Sequence, residues 1–128
     1  MTRRLLLDSH VALWWLADDA SLGPKSREAI VSAAEVFVSV VTPWELGIKR
    51  ALGKLDCPDS LADALVDEGF MILAIEAAHA ELAPTLPPHH RDPFDRMLIA
   101  QALTNRLELV TADNAFGDYD VELVNALA

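Results

Sequence analysis

Three apolar stretches of this chain each run into a carboxylate. Leu5-Leu6-Leu7 meets Asp8, Val36 to Val41 lead to Glu45, and Leu109-Val110-Thr111 precede Asp113. A fourth acid, Asp95, opens the helical stretch Asp95 to Ala102. Short β-branched and leucine-rich runs separated by helical patterns give an α/β fold, with a mostly parallel central sheet flanked by helices. In such open sheets the strand ends converge on one crevice, where ligands bind. Acids far apart in sequence can therefore meet in one pocket. Such a pocket at neutral pH calls for a divalent cation, which points to metal-dependent chemistry on a phosphate substrate.

At 128 residues the chain has the length of one domain, taken here as residues 1–128. Thr2 to Asp8 reads as a buried strand, with Ser9 as N-cap of a helix from His10 to about Ala17. Gly23-Pro24 starts a helix to Ala33, and Val36 to Val41 reads as a strand. Thr42-Pro43-Trp44-Glu45 then opens a helix to Leu52. Asp59 or Ser60 caps a helix to Glu68, Phe70 to Ala74 is a strand, and Glu76 to Ala83 a helix. Pro84 to Arg91, with three prolines and two histidines, reads as a loop. Asp92-Pro93 begins a long helix to Asn105, followed by strands at Leu107–Thr111 and Val121–Val124.

Each acid also has a purely structural reading. Asp8 can cap a helix or close a turn, although Ser9 already fills the cap. Thr42-x-x-Glu45 fits a capping box, which does not stop a first-turn residue from facing the crevice. Asp92 is the better N-cap of its helix, and Asp95, at the third helical position, can complement the positive helix end. Asp113 can form an Asx-turn. Single placements are weak; their recurrence at successive strand ends is the signal.

The donor types select the metal. His89-His90 sit together in the proline-rich loop, His79 stands alone, and the single Cys57 cannot complete a thiolate set, so the histidines give no zinc site. All-oxygen ligation suits Mg²⁺ or Mn²⁺. Lys49, Arg50, Lys54, Arg91 and Arg96 are candidate phosphate contacts, against the alternative of solvated helix faces with Lys49 pairing to Glu45. Trp14, Trp15 and Trp44 read as core or interface aromatics.

A net charge of −10 has the wrong sign for broad nucleic-acid binding. Either nucleic acid is not the substrate, or it is gripped locally through metal and a few cations. A basic protein partner fits the second case. The start Met1-Thr2-Arg3-Arg4 before leucines has the outline of a signal peptide. Asp8, Ser9 and His10 interrupt the apolar run, and Asp18-Asp19 stand where a small-residue cleavage site belongs. The expectation is a cytoplasmic protein without a leader or membrane span, which the lone cysteine suits.

The residues also resemble a known family. Leu6-Leu7-Asp8-Ser9-His10, Val38 to Leu46, Gly53-Lys54-Leu55, His89 to Ala102 and Leu109 to Asp113 follow its order, with Asp92-Pro93-Phe94-Asp95-Arg96 the most specific part. Across nearly its whole length the chain resembles a PIN-domain ribonuclease, of the VapC type found as toxins in type II toxin–antitoxin pairs. The resemblance implies a PIN-like fold and a Mg²⁺-dependent endoribonuclease, with Mn²⁺ substituting. The acidic quartet would be Asp8, Glu45, Asp95 and Asp113. Asp8 and Asp95 match the principal metal ligands, and Ser9 and Thr111 match hydroxyls that orient ligands or water. It further implies a homodimer silenced by a small antitoxin, often basic in its tail. Many PIN domains carry another acid two residues after the fourth; here Ala115 stands there, which leaves open whether one ion binds or two. Two other readings compete: a phospho-accepting receiver-like signalling domain, and a PIN-like scaffold without chemistry. The first usually needs paired early acids and a late lysine, whereas Asp8 has no acidic neighbour and no lysine follows Lys54.

Overall fold

The computed structural model describes residues 2–128, so Met1 of the leader-like start lies outside the described residues. In chain order the elements are β1 (Arg4–Leu7), α1 (Ser9–Leu16), α2 (Pro24–Ser32), β2 (Glu35–Ser39), α3 (Val41–Ala51) and α4 (Leu61–Asp67). They continue with β3 (Met71–Leu73), α5 (Ala77–Leu82), α6 (Pro93–Asn105), β4 (Glu108–Thr111) and β5 (Leu123–Asn125). Short 3₁₀ turns occupy Ala83–Thr85 and Asn114–Asp118. The strands form one sheet in the order β3-β2-β1-β4-β5, and every neighbouring pair is parallel.

Central position explains the unbroken leucine run of β1, since a strand covered on both faces needs apolar residues throughout. Successive side chains alternate faces. Leu5 and Leu7 therefore pack with Val36, Val38 and Val110 beneath α1 to α4, where Val11, Ile30, Leu46 and Leu65 meet them. Leu6 and Leu109 face the other way, onto Leu98, Ile99 and Ala102 of α6. The chain lays strands outward from β1 to β3, then crosses over to place β4 on the free side of β1. That reversal opens the crevice between the C-terminal ends of β1 and β4. Among the described residues, no helix is long and apolar enough to cross a membrane.

Two expected helix starts are corrected. Asp8, not Ser9, is the N-cap of α1: its Oδ1 accepts the Val11 N–H at 2.9 Å, and Ser9 is the first helical residue. Strand β2 ends at Ser39, two residues early, because Val40 already has helical backbone angles and the Ser39 hydroxyl accepts the Val41 N–H at 3.1 Å. Thr42 thus lies inside α3, and the Thr42–Glu45 capping box does not form. Ser60 stands at the cap position of α4, but its side chain accepts no hydrogen bond there. Asp59 instead pairs with Arg50 at 2.6 Å.

Candidate active site

Asp8, Ser9, His10, Glu45, Lys49, Asp92, Asp95, Asp113 and Phe116 line one crevice of about 140 Å³ at the topological reversal. The sequence-predicted acids arrive there from four separate segments. Asp8 follows β1, Glu45 comes from the second turn of α3, Asp95 from the first turn of α6, and Asp113 follows β4.

Each acid is held by its own donors. Asp8 is buried; besides the cap bond, its Oδ2 accepts the Thr111 hydroxyl at 2.5 Å. Burial raises its pKa and nearby Glu45 adds to the rise, while the Thr111 and Val11 hydrogen bonds pull the other way. Glu45, also buried, accepts from Ser9 Oγ at 2.8 Å and from Lys49 Nζ at 3.1 Å. Ser9 has one hydroxyl hydrogen. Having given it to Glu45, it must accept from Thr42 Oγ1, 3.1 Å away. The Thr42–Ser9–Glu45 chain replaces the expected capping box, so Glu45 is fixed by Ser9 across the fold and by Lys49 one turn along α3, and not by its own helix end.

Asp95 behaves differently. Its pKa is pushed up to about 7, chiefly by burial and then by Asp92, with Glu45 and Asp8 adding and His90 opposing. Asp92 caps α6 as expected, its Oδ1 accepting from Phe94 N at 2.8 Å and Asp95 N at 3.2 Å. At Asp113, burial works against the hydrogen bonds from Ala115 N and His90, which prevail and lower the pKa. The Asx-turn reading of Asp113 also holds: Oδ1 accepts from Ala115 N at 2.9 Å, and its own N–H donates to Thr111 Oγ1 at 3.0 Å. Thr111 thereby links Asp8 and the Asp113 turn.

One predicted supporting residue goes elsewhere. Arg96 does not line the crevice; its guanidinium donates to the carbonyls of Ala83, Pro84, Leu86, Pro87 and His90. It fastens the proline-rich loop and has no free face for phosphate. Of the candidate cations, Lys49 alone lines the crevice. Arg50 is paired with Asp59, and Lys54 and Arg91 are exposed away from it. Trp14 and Trp15 are partly buried against the core, whereas Trp44 is exposed, with its ring edge-on to Phe94 at 4.8 Å.

His90 is the residue that sequence reasoning missed. Its Nε2 lies 3.1 Å from both Asp95 Oδ2 and Asp113 Oδ2. Among the described residues, these three form the tight cluster capable of surrounding an ion, with their polar atoms within 4.8 Å of one another. Asp8 and Glu45 line the same crevice but stand outside that triangle. The only available signal was position, two residues before the Asp92 N-cap.

The donor set fits a hard divalent cation. Five carboxylates, counting the capping Asp92, converge with one lysine among them, and burial raises the pKa of Asp95, with Asp92, Glu45 and Asp8 adding to the rise.

Comparison with known proteins gives the family. The PIN domain pattern matches residues 5–122. Over 116 residues the chain is 34% identical to Ribonuclease VapC22 of Mycobacterium tuberculosis, an alignment spanning 85% of this chain and 86% of that protein. Among solved structures, VapBC2 from Rickettsia felis bound to a DNA fragment from their promoter is similar, with a TM-score of 0.69 and 14% identity over 95% of this chain and 98% of that one. FitAcB from Neisseria gonorrhoeae follows at 0.63 and 20%, covering 95% and 97%. DNA-bound VapBC from Salmonella typhimurium gives 0.65 and 17%, covering 98% of each chain. At these identities the structural likeness is one of fold. With it the receiver-like alternative falls away, and the chain belongs to the PIN-domain family, among its VapC-type members.

Proposed function

We propose that this chain is a metal-dependent endoribonuclease toxin that hydrolyses RNA phosphodiester bonds in the cytoplasm and is restrained by a small antitoxin. The carrying observation is the convergence of Asp8, Glu45, Asp95 and Asp113 on one crevice, with Asp95 held near neutrality. The name of the Mycobacterium tuberculosis relative as a ribonuclease supports the reaction, and the toxin–antitoxin complexes among the structural neighbours support the partner.

Asp8, Asp95, Asp113 and Glu45 are the residues that would hold Mg²⁺ or Mn²⁺. One or two such ions, when bound, would activate a water and stabilise the leaving oxygen. The chain's own groups prepare that chemistry. Thr111 aims Asp8 by donating to Oδ2, leaving lone pairs of both carboxylate oxygens toward the crevice. Ser9 and Lys49 fix the two oxygens of Glu45. Lys49 also supplies positive charge where a phosphate would enter. The acidic surface repels RNA, so binding would rest on the metal held in the crevice and on Lys49, and the same charge attracts a basic antitoxin segment. A homodimer accords with the VapC-type membership.

The test is cleavage of RNA by the purified chain with and without chelator. Cleavage should require Mg²⁺ or Mn²⁺ and fall at least ~100-fold in Asp8→Asn and in Asp95→Asn, both folded. Undiminished cleavage by either variant would remove that residue from the site. No cleavage by the folded, metal-loaded native chain would favour the scaffold without chemistry.

A further inference from the structure

We infer that His90 is a positioning residue, whose Nε2–H draws Asp113 to Asp95 and sets the geometry of that half of the ligand set. The inference rests on the proposed role of these acids as metal ligands. Its first support is the state of the ring. The backbone N–H of Asp92 donates to His90 Nδ1 at 3.3 Å, so that nitrogen presents its lone pair. With Nδ1 accepting, the ring's N–H is at Nε2, the atom that faces both carboxylates. A nitrogen bearing a hydrogen is a donor and not a metal ligand. His90 therefore belongs behind the ligands, steering them.

Asp113 needs such a partner. Its side chain is 46% exposed, and its Oδ1 is taken by the local Asx-turn. Among the described residues, only His90 bonds to its Oδ2. Without that bond the carboxylate is free to rotate toward water, away from Asp95. With it, Asp113 is held beside Asp95, whose Oδ2 also lies 3.1 Å from His90 Nε2.

His90 itself is anchored on several sides. Its backbone N–H donates to the Tyr119 hydroxyl at 2.8 Å, and that hydroxyl donates to Pro87 O at 2.7 Å. Its carbonyl accepts from Arg96 at 3.0 Å. The ring stacks on Phe116 with centroids 5.4 Å apart and planes at 27°. A side chain this constrained gives its donor a fixed direction. Hydrogen-bond partners of metal ligands are worth roughly 10–100-fold in metal affinity.

The experiment uses the full chain, Mn²⁺ as probe and no RNA, with binding read by electron paramagnetic resonance and folding by circular dichroism. His90→Ala should weaken Mn²⁺ binding about 10-fold or more. Asp113→Asn should weaken it similarly, and the double variant should lose little beyond either single one, because both changes remove the same arrangement. His90→Gln, whose amide can place a donor near the Nε2 position, should recover most of the affinity. Pulsed spectra should show no directly bound nitrogen. Unchanged or tighter binding in His90→Ala would overturn the inference, as would fully additive losses or a directly coordinated imidazole. The site reading fails separately: Asp95→Asn binding Mn²⁺ as tightly as the native chain would sink it, and this inference with it.

Discussion

Asp95 sits in an environment unfavourable to its own charge. It sits in the first turn of α6 facing Asp92, Glu45 and Asp8, with His90 as the neighbour that eases it. Its folded pKa of about 7 lies above its unfolded value of about 3.9. Between those values the folded chain holds a proton that the unfolded chain has lost, so stability must fall as pH rises through that interval. The total for this group reaches on the order of 4 kcal/mol above pH 7. Asp8 shifts in the same direction and adds to the slope, whereas the lowered pKa of Asp113 acts with opposite sign and only at more acidic pH. In chelator, the melting temperature should therefore be higher near pH 5 than at pH 7.5. Asp95→Asn should flatten that slope and melt higher than the native chain at pH 7.5. A native melting temperature that rises from pH 5 to 7.5, or an unchanged slope in Asp95→Asn, would contradict this account of the crevice.

Among the elements, the loop between α5 and α6 carries more of the site than its composition suggests. Three prolines and a shortage of apolar residues mark it as irregular, and irregular segments rarely reveal which way a side chain points. That is why His90, noted in sequence only as one of a pair that gives no zinc site, could not be aimed at the acids, while the strands were legible from their apolar runs and Asp92-Pro93 marked the start of α6. The misread start of α3 has a similar physical cause. Thr42-x-x-Glu45 satisfies the capping pattern, but Ser39 ends the strand sooner and leaves both residues free for contacts with Ser9. Arg96 reads as a phosphate contact because sequence cannot count the carbonyls around it. With five carbonyls on one guanidinium, Arg96→Ala should cost about 2 kcal/mol or more in stability. Arg96→Lys should not restore it, since a single ammonium lacks the planar fork that reaches them together. Both variants should also weaken Mn²⁺ binding by loosening the anchor of His90. Normal stability in Arg96→Ala, measured by denaturant melts, would return Arg96 to the phosphate-contact reading.

Across the whole molecule, a net charge of −10 and a crevice of five carboxylates make two different claims on a cation. General self-repulsion responds to any salt, whereas a ligand set responds to ions it can coordinate. Binding to the folded state alone stabilises it by mass action: for a dissociation constant of ~1 mM, 10 mM Mg²⁺ would contribute about 1.4 kcal/mol. In a domain of this size that corresponds to a rise in Tm of roughly 5 °C. Sodium chloride at matched ionic strength screens the surface equally but cannot join the carboxylates, so it should give a much smaller rise. The excess should largely vanish in the double variant Asp8→Asn/Asp95→Asn, whose Tm without metal should be no lower than native at pH 7.5 because two carboxylates whose charged form burial disfavours have been removed. The same logic bears on the partner. A basic antitoxin segment seated in the crevice would supply the missing positive charge, so Mg²⁺ and that segment should compete there. Equal rises from Mg²⁺ and matched sodium chloride would mean that only the overall charge was relieved, and the coordinated-ion reading of the crevice would lose its physical basis.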